Sequence, residues 1–262
     1  MRLVCALLAA LVLARPEMAE AEKPTVVSLD YCADQFVMGL ADREQILGVS
    51  PHAGRSFSHL RDKADGLPRV RALAEDVIAL QPDIVVRSWG GDARALDFFQ
   101  RFGIETVQIG YASDFEGAAR VTREIAEKLD QQDRAEDLVT SLNFAAPQTG
   151  ETALYLTPGG VTAGPGTMVD QIMTAAGLEN AVSQQGWVNV PLETLVQNPP
   201  QRVLAAFFDF DEDRASNWSL TRHPAMQRIL ANAKTIRLDE SRLTCPAWFV
   251  ADEARAVAEA LN

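Results

Sequence analysis

The sequence predicts an α/β protein of two lobes with a helical strut between them, and three observations carry that expectation. Short β-rich runs alternate with amphipathic helical stretches from Thr25 to the C-terminus, the rhythm of helices packed on parallel sheets. One charged stretch rich in Ala, Leu and Glu, from Asp114 to Asn143, breaks that rhythm without a proline and without a glycine after Gly117. Such a stretch favours one long helix or two abutting ones. The residues beyond the N-terminal segment are also too many for one comfortable core and suit two lobes of about 100 each.

Taken in chain order, Arg2 precedes an apolar run from Leu3 to Ala14, shorter than the roughly 20 residues a membrane helix needs. Ala19-Glu20-Ala21 supplies a small-x-small cleavage pattern, so residues 1–21 read as a signal peptide. Cys5 lies inside the apolar run, which argues against a lipid anchor there. Every later apolar stretch is interrupted by Asp, Glu or Arg, so no direct membrane insertion is expected. The first lobe, residues 22–113, holds strands at Thr25 to Leu29, Ile46 to Val49, Ile84 to Arg87 and Glu105 to Ile109. Its helices start near Ala33, Glu75 and Ala93. The strut occupies 114–146, and Pro147 and Gly150 stop it. The second lobe, 147–262, holds strands at Ala153 to Leu156, Val203 to Phe208 and Thr235 to Leu238, with helices near Met168 and from Ala251.

With 36 acidic against 24 basic residues, the net charge of −12 argues against nucleic acid as a partner. No Gly-x-Ser-x-Gly, His-Glu-x-x-His or Gly-x-x-x-x-Gly-Lys-Ser/Thr motif occurs, so an enzyme is not expected. Only Cys32 and Cys245 remain after signal removal. A disulfide, two free thiols and ligation of a bound metal are all open to them. A weak internal echo places Glu75 seven residues before Pro82 and Glu193 seven before Pro200, each a short helix running into a strand.

The segments VVSLDYCADQ, ILGVSPH, LAEDVIALQPDIVVRSWGG, FGIETVQIG, AGPGTMVDQIMTAAGLENAV and GWVNVPLETLVQNPPQRVL follow one another along nearly the whole mature chain. In order and spacing they resemble the periplasmic substrate-binding proteins for iron siderophores and vitamin B12 of ABC importers. The resemblance implies a class III periplasmic binding protein fold: two Rossmann-like α/β lobes joined by a single long α-helix. It further implies a periplasmic monomer with no intrinsic cofactor, whose ligand is a ferric siderophore, haem or cobalamin and whose partner is an ABC permease dimer. Glu75 and Glu193 match the acidic residues with which the family meets arginines of the permease. GWVNVPLE looks closest to the cobalamin-binding members, in which a tryptophan lines the cleft; here that residue is Trp187.

Open α/β sheets bind ligands at the carboxyl ends of their strands, and loops there carry the candidate ligand-binding residues. These are Tyr31 and Cys32 after the first strand, His52 after the second, Trp89 after the third, Trp187 before the helix of Glu193, and Cys245 on a later turn. Arg71 is the cation chosen to offset a chelate's negative charge, ahead of Arg69 and Arg87. In the family picture Cys32 and Cys245 sit on opposite rims, where a bond between them would clamp the cleft. Trp218, in the rim loop from Asp209, and Trp248 are weaker candidates, with core packing favoured. Two other functions compete. A zinc or manganese importer's binding protein needs converging His and carboxylate ligands, whereas only His52, His59 and His223 are present. A thiol-redox protein normally carries a Cys-x-x-Cys motif, which is absent.

Overall fold

A computed structural model describes residues 22–206 and 220–261. The predicted signal peptide and the rim loop with Trp218 lie outside the described residues. In the first lobe β1 (Val26–Ser28), β2 (Ile46–Gly48), β3 (Ile84–Arg87) and β4 (Glu105–Gln108) run parallel in the order β2-β1-β3-β4. Side chains alternate along a strand, so Val26, Ile84 and Val86 enter one core with α1 (Tyr31–Leu40). Val27 and Val85 enter another with α2 (Ala74–Ile78) and α3 (Ala93–Arg101). Burial on both faces explains why the central strands β1 and β3 read as near-continuous apolar runs.

The second lobe repeats the plan. Its strands β5 (Thr152–Leu156), β7 (Glu179–Asn180), β9 (Arg202–Ala205) and β10 (Lys234–Arg237) are parallel in the order β7-β5-β9-β10. Counted within each lobe, the strand order is the same. Tyr155 and Leu204 pack with α6 (Met168–Ala175) and the end of α10 (Val250–Leu261). Leu154, Leu156 and Val203 pack with α7 (Leu192–Gln197) and α8 (Pro224–Asn232). Ile84 and Arg202, the first residues of β3 and β9, follow Glu75 and Glu193 at the same interval, and Pro82 and Pro200 are both buried. A two-stranded antiparallel hairpin of β6 (Val161–Ala163) and β8 (Trp187–Asn189) is extra to this repeat. No helix among the described residues is long and apolar enough to cross a membrane.

The strut differs from the single long helix expected. It is two helices, α4 (Phe115–Lys128) and α5 (Gln132–Val139), followed by a 3-10 turn at Thr140–Leu142. The break lies at Asp130, whose φ of 55° is left-handed. The Gln131 amide donates back to the Ala126 carbonyl at 2.9 Å and the Asp130 amide to Glu127 at 3.4 Å, the pair of bonds of a Schellman stop. Aspartate tolerates this conformation better than most residues, so the helix ends without a glycine. α5 then folds back on α4, and Arg123 of α4 pairs with Glu136 of α5 at 2.7 Å. Ile125, Ala126 and Leu129 are buried in the same core as Phe36 and Leu40 of α1.

Beyond α9 (Glu240–Leu243), the chain crosses to the first lobe. Cys245, Trp248, Phe249 and Ala251 enter the core of α1 and α4, together with Ile172 and Ala175 of α6. Trp248 meets Phe36 edge-on at 5.8 Å and lies over Gly39, where a Cβ atom would stand 2.2 Å from its ring. A disulfide joins Cys32 of α1 to Cys245, 213 positions apart. In the chain-entropy account, closing a loop of that size stabilises the fold by roughly 5 kcal/mol. Replacing both cysteines by serine should therefore lower the thermal midpoint by roughly 10 °C. Equal midpoints in calorimetry would show that the bond adds nothing to the native state.

Candidate functional site

Three buried polar side chains at the start of α1 hold the loops that leave the first lobe's strands. Asp30 caps the helix by accepting from the Ala33 amide at 3.0 Å. The same carboxylate accepts from the loop after β3: Ser88 N at 2.7 Å, Ser88 Oγ at 2.8 Å, Trp89 N at 2.9 Å and Gly90 N at 2.8 Å. Asp34 accepts from Ser28 Oγ and from Ser50 at the end of β2, through Ser50 N at 2.8 Å and Ser50 Oγ at 2.6 Å. The Ser50 hydroxyl in turn accepts from the His52 amide at 3.1 Å. Gln35 donates to Ser58 Oγ at 2.8 Å and accepts from the Leu60 amide at 2.8 Å. The loop after β3 is thus fixed by Asp30 and the loop after β2 by Asp34 and Gln35, all from the DYCADQ segment.

Aromatic rings stand on these loops. Tyr31 is met edge-on by Phe57 at 5.3 Å and at a tilt by Trp89 at 5.8 Å. His52 is exposed, 6.2 Å from Phe57. From the second lobe, Trp187 opens β8 opposite Ala163 and lies edge-on to Tyr155 at 6.0 Å. Trp89 and Trp187 are each 55% exposed, which is unusual for so large an apolar side chain. Between the lobes lies a cavity of about 370 Å³, lined among others by Tyr31, Phe57, Tyr155, Met168, Trp187 and Thr244. That volume lies at the lower end of the range for small-molecule sites. Burial, aided by the Asp30 charge, raises the Tyr31 phenol above its ordinary value. Burial, then the charge of Glu240, does the same to Tyr155. Both tyrosines therefore present neutral hydroxyls at pH 7.

Of the residues singled out from sequence, Tyr31 and Trp187 line the cavity, and Trp89 and His52 join it through Tyr31 and Phe57. Trp187 sits on a hairpin strand rather than in the expected loop. Cys32 and Cys245 are bonded to each other and buried, so neither is a free thiol or a metal donor; the adjoining Leu243 and Thr244 form the wall instead. Arg71 is exposed away from the cavity, its guanidinium forked onto Asp76 at 2.6 and 3.1 Å. Glu75 and Glu193 are exposed in the first turns of α2 and α7. Glu75 borders a separate recess of about 800 Å³ between α2 and α3, with Leu73, Ile78, Phe98 and Phe102. His59 is stacked on Phe249 at 4.3 Å, and His223 caps α8. Among the described residues, no three His, Cys, Asp or Glu side chains are grouped to hold a metal. Phe57, Tyr155 and Met168 were not foreseen. Tyr155 is 1% exposed on a central strand and reads as core; the phenol group was its only signal.

A family model described as periplasmic binding protein matches residues 26–231. The chain belongs to this family. One relative, the vitamin B12-binding protein of Salmonella typhimurium (strain LT2), is 28% identical over 176 residues, covering 61% of this chain and 66% of the relative. The match thus spans just under two thirds of that relative's length. The crystal structure of the periplasmic haem-binding protein HutB of Vibrio cholerae superposes with a TM-score of 0.71 at 19% identity, covering 91% of this chain and 98% of that one. The periplasmic vitamin B12-binding protein BtuF of Vibrio cholerae gives a TM-score of 0.61 at 16% identity, covering 91% and 96%. The paired parallel sheets are therefore the family's architecture.

Asp34 gives the N-terminal half of the site a pH signature. Burial raises its carboxyl to about 6, although the bonds from Ser28 and Ser50 pull the other way. A carboxyl that holds its proton more tightly when folded contributes stability that is complete below its unfolded value, near pH 4, and is lost as pH rises through about 6. The stability of the wild type relative to Asp34→Asn should therefore fall by on the order of 2 kcal/mol between pH 4 and pH 7. Urea midpoints at several pH values measure this, and a difference independent of pH would show that Asp34 does not titrate there.

Proposed function

We propose that this chain is exported to the periplasm, captures a metal chelate between its lobes and delivers it to the permease dimer of an ABC importer. The chelate is a ferric siderophore, haem or cobalamin, and the vitamin B12-binding relative makes cobalamin the first to test. The observation that carries this reading is the convergence of Tyr31, Phe57, Tyr155 and Trp187, from both lobes, on one cavity. Flat rings with few rotatable bonds offer apolar area to a macrocycle or to aromatic siderophore arms while losing little entropy. Trp89 and His52 extend this surface at the rim. The protein acts as a monomer that binds without chemistry, and the importer's ATPase supplies the energy.

The functional units are the lobes 22–113 and 147–262 and the strut 114–146. Glu75 and Glu193 occupy equivalent places in the two lobes, exposed on the helices that lead into β3 and β9, and these are the permease contacts. Leu73 and Phe102, 42% and 63% exposed, flank the recess beside Glu75 and supply apolar area to that contact. Arg71, paired with Asp76, belongs to this face rather than to the cleft. A bare zinc or manganese ion finds no cluster of three His, Cys, Asp or Glu side chains among the described residues. A thiol-redox role finds no accessible thiol among the described residues, since Cys32 and Cys245 are bonded and buried.

Tryptophan fluorescence titrated with cyanocobalamin, haemin and a ferric hydroxamate, corrected for ligand absorbance and checked by calorimetry, should show saturable quenching by one of them. Trp187→Ala should weaken that ligand tenfold or more, and no binding across the panel would overturn the reading. Glu75→Ala with Glu193→Ala should leave ligand affinity within twofold but weaken association with the reconstituted permease roughly tenfold, as loss of two exposed charge contacts would. Unchanged association would remove these residues from the contact.

A further inference from the structure

We propose that Asp30 is the positioning residue of the chelate site: by gathering the loop after β3 it holds Trp89 against Tyr31 and so sets ligand affinity. The inference rests on the chelate-binding reading above. Its basis is the division of labour between the two carboxylate oxygens. Oδ1 takes the Ala33 amide that caps α1, together with the Ser88 hydroxyl. Oδ2 takes three consecutive backbone amides, those of Ser88, Trp89 and Gly90. Successive amides turned toward one point form an anion nest, and here the anion is an internal side chain. Capping α1 would need only Oδ1, so the second oxygen has no role in the helix.

The loop is drawn close by these bonds. A Cβ atom at position 90 would lie 2.3 Å from the Leu29 carbonyl oxygen, so only glycine permits the approach. Gln108 donates to the Ser88 carbonyl at 2.8 Å from the neighbouring strand end. Asp30 is fully buried, yet the next residue, Tyr31, and the loop residue Trp89 both present rings at the cleft, 5.8 Å apart. One hidden carboxylate therefore fixes both members of an aromatic pair, one through the helix it caps and one through the loop it gathers. A ring surface ordered before the ligand arrives loses little freedom on binding.

Asp30→Asn separates the two roles. Asparagine caps helices as well as aspartate does, but its amide sets N–H groups where the carboxylate had only acceptors. The expected result in the unliganded protein is faster hydrogen exchange of the Ser88–Gly90 amides, with the α1 amides from Ala33 onward unchanged. For whichever of cyanocobalamin, haemin or a ferric hydroxamate the wild type binds, the affinity should fall about tenfold. The same substitution in a Trp89→Ala background should change affinity less than twofold, an effect that general destabilisation would not produce. Unchanged exchange at 88–90, unchanged affinity, or an equal loss without Trp89 would each overturn the proposal. If the wild type binds none of the three, the chelate reading fails and the affinity claim with it, while exchange still decides whether Asp30 holds the loop. Should Asp30→Asn not fold, Ser88→Ala removes one donor from the same carboxylate and is expected to shift exchange and affinity in the same directions by a smaller factor.

Discussion

A buried polar group must find hydrogen-bond partners, and in this protein that requirement builds the aromatic wall of the cavity between the lobes. Asp30, Asp34 and Gln35 lie within the first turns of α1 and are all at most 1% exposed. Leaving any one unsatisfied would cost about 1–3 kcal/mol. Beyond the local bonds to Ser28, Tyr31 and Ala33, their partners come from three stretches distant from α1 in sequence: Ser50, Ser58 with Leu60, and Ser88 to Gly90. The rings of Trp89, His52 and Phe57 ride on those segments or beside them. The loops are therefore placed by the helix they surround, and the polar interior of the lobe determines the aromatic surface it offers.

The lobes share a strand order, and besides the clusters of their own they are joined by one apolar cluster in common. α4 and α5 pack on α1, and the segment after Cys245 enters the same apolar cluster, which also takes Ile172 and Ala175 from α6. Thr244 donates to the Phe57 carbonyl at 3.2 Å, so the cleft wall from one end of the chain is tied to a ring carrier from the other. Packing of this kind favours small adjustments over wide opening, because separating the lobes would expose Trp248 and Phe249, both buried.

Much of this could be read in the sequence, for identifiable reasons. Strands covered on both faces announce themselves as unbroken apolar runs, as Ile84 to Val86 does. Asp92 and Asp114 mark helix starts, each accepting from an amide three residues on. Tyr31 was reachable because it follows a strand where open α/β sheets place their sites, and Trp187 because GWVNVPLE resembles the segment in which cobalamin-binding members carry a cleft tryptophan. What stayed hidden was decided by tertiary packing. The strut's sequence allows one long helix or two abutting ones, and Asp130 has no neighbouring glycine or proline to mark where its left-handed turn divides them. The β6–β8 hairpin has only three residues on each side, too few for periodicity to register. Cys245 looked like a rim residue of the second lobe because no pattern in TCPAWFVA says that its apolar side chains belong to the other lobe's core. Phe57 stands in a loop without any repeat, visible only once Gln35 and Thr244 are seen to hold its neighbours.

The bond between Cys32 and Cys245 also changes the molecule's topology. It closes most of the chain into a covalent ring, leaving a short tail before Cys32 and one helix after Cys245. A protease that severs any single peptide link inside that ring opens it but releases nothing, because the two pieces stay joined through the disulfide. Only a second cut, or a cut together with a reductant, can part them. The folded chain is thereby held together through its first nick.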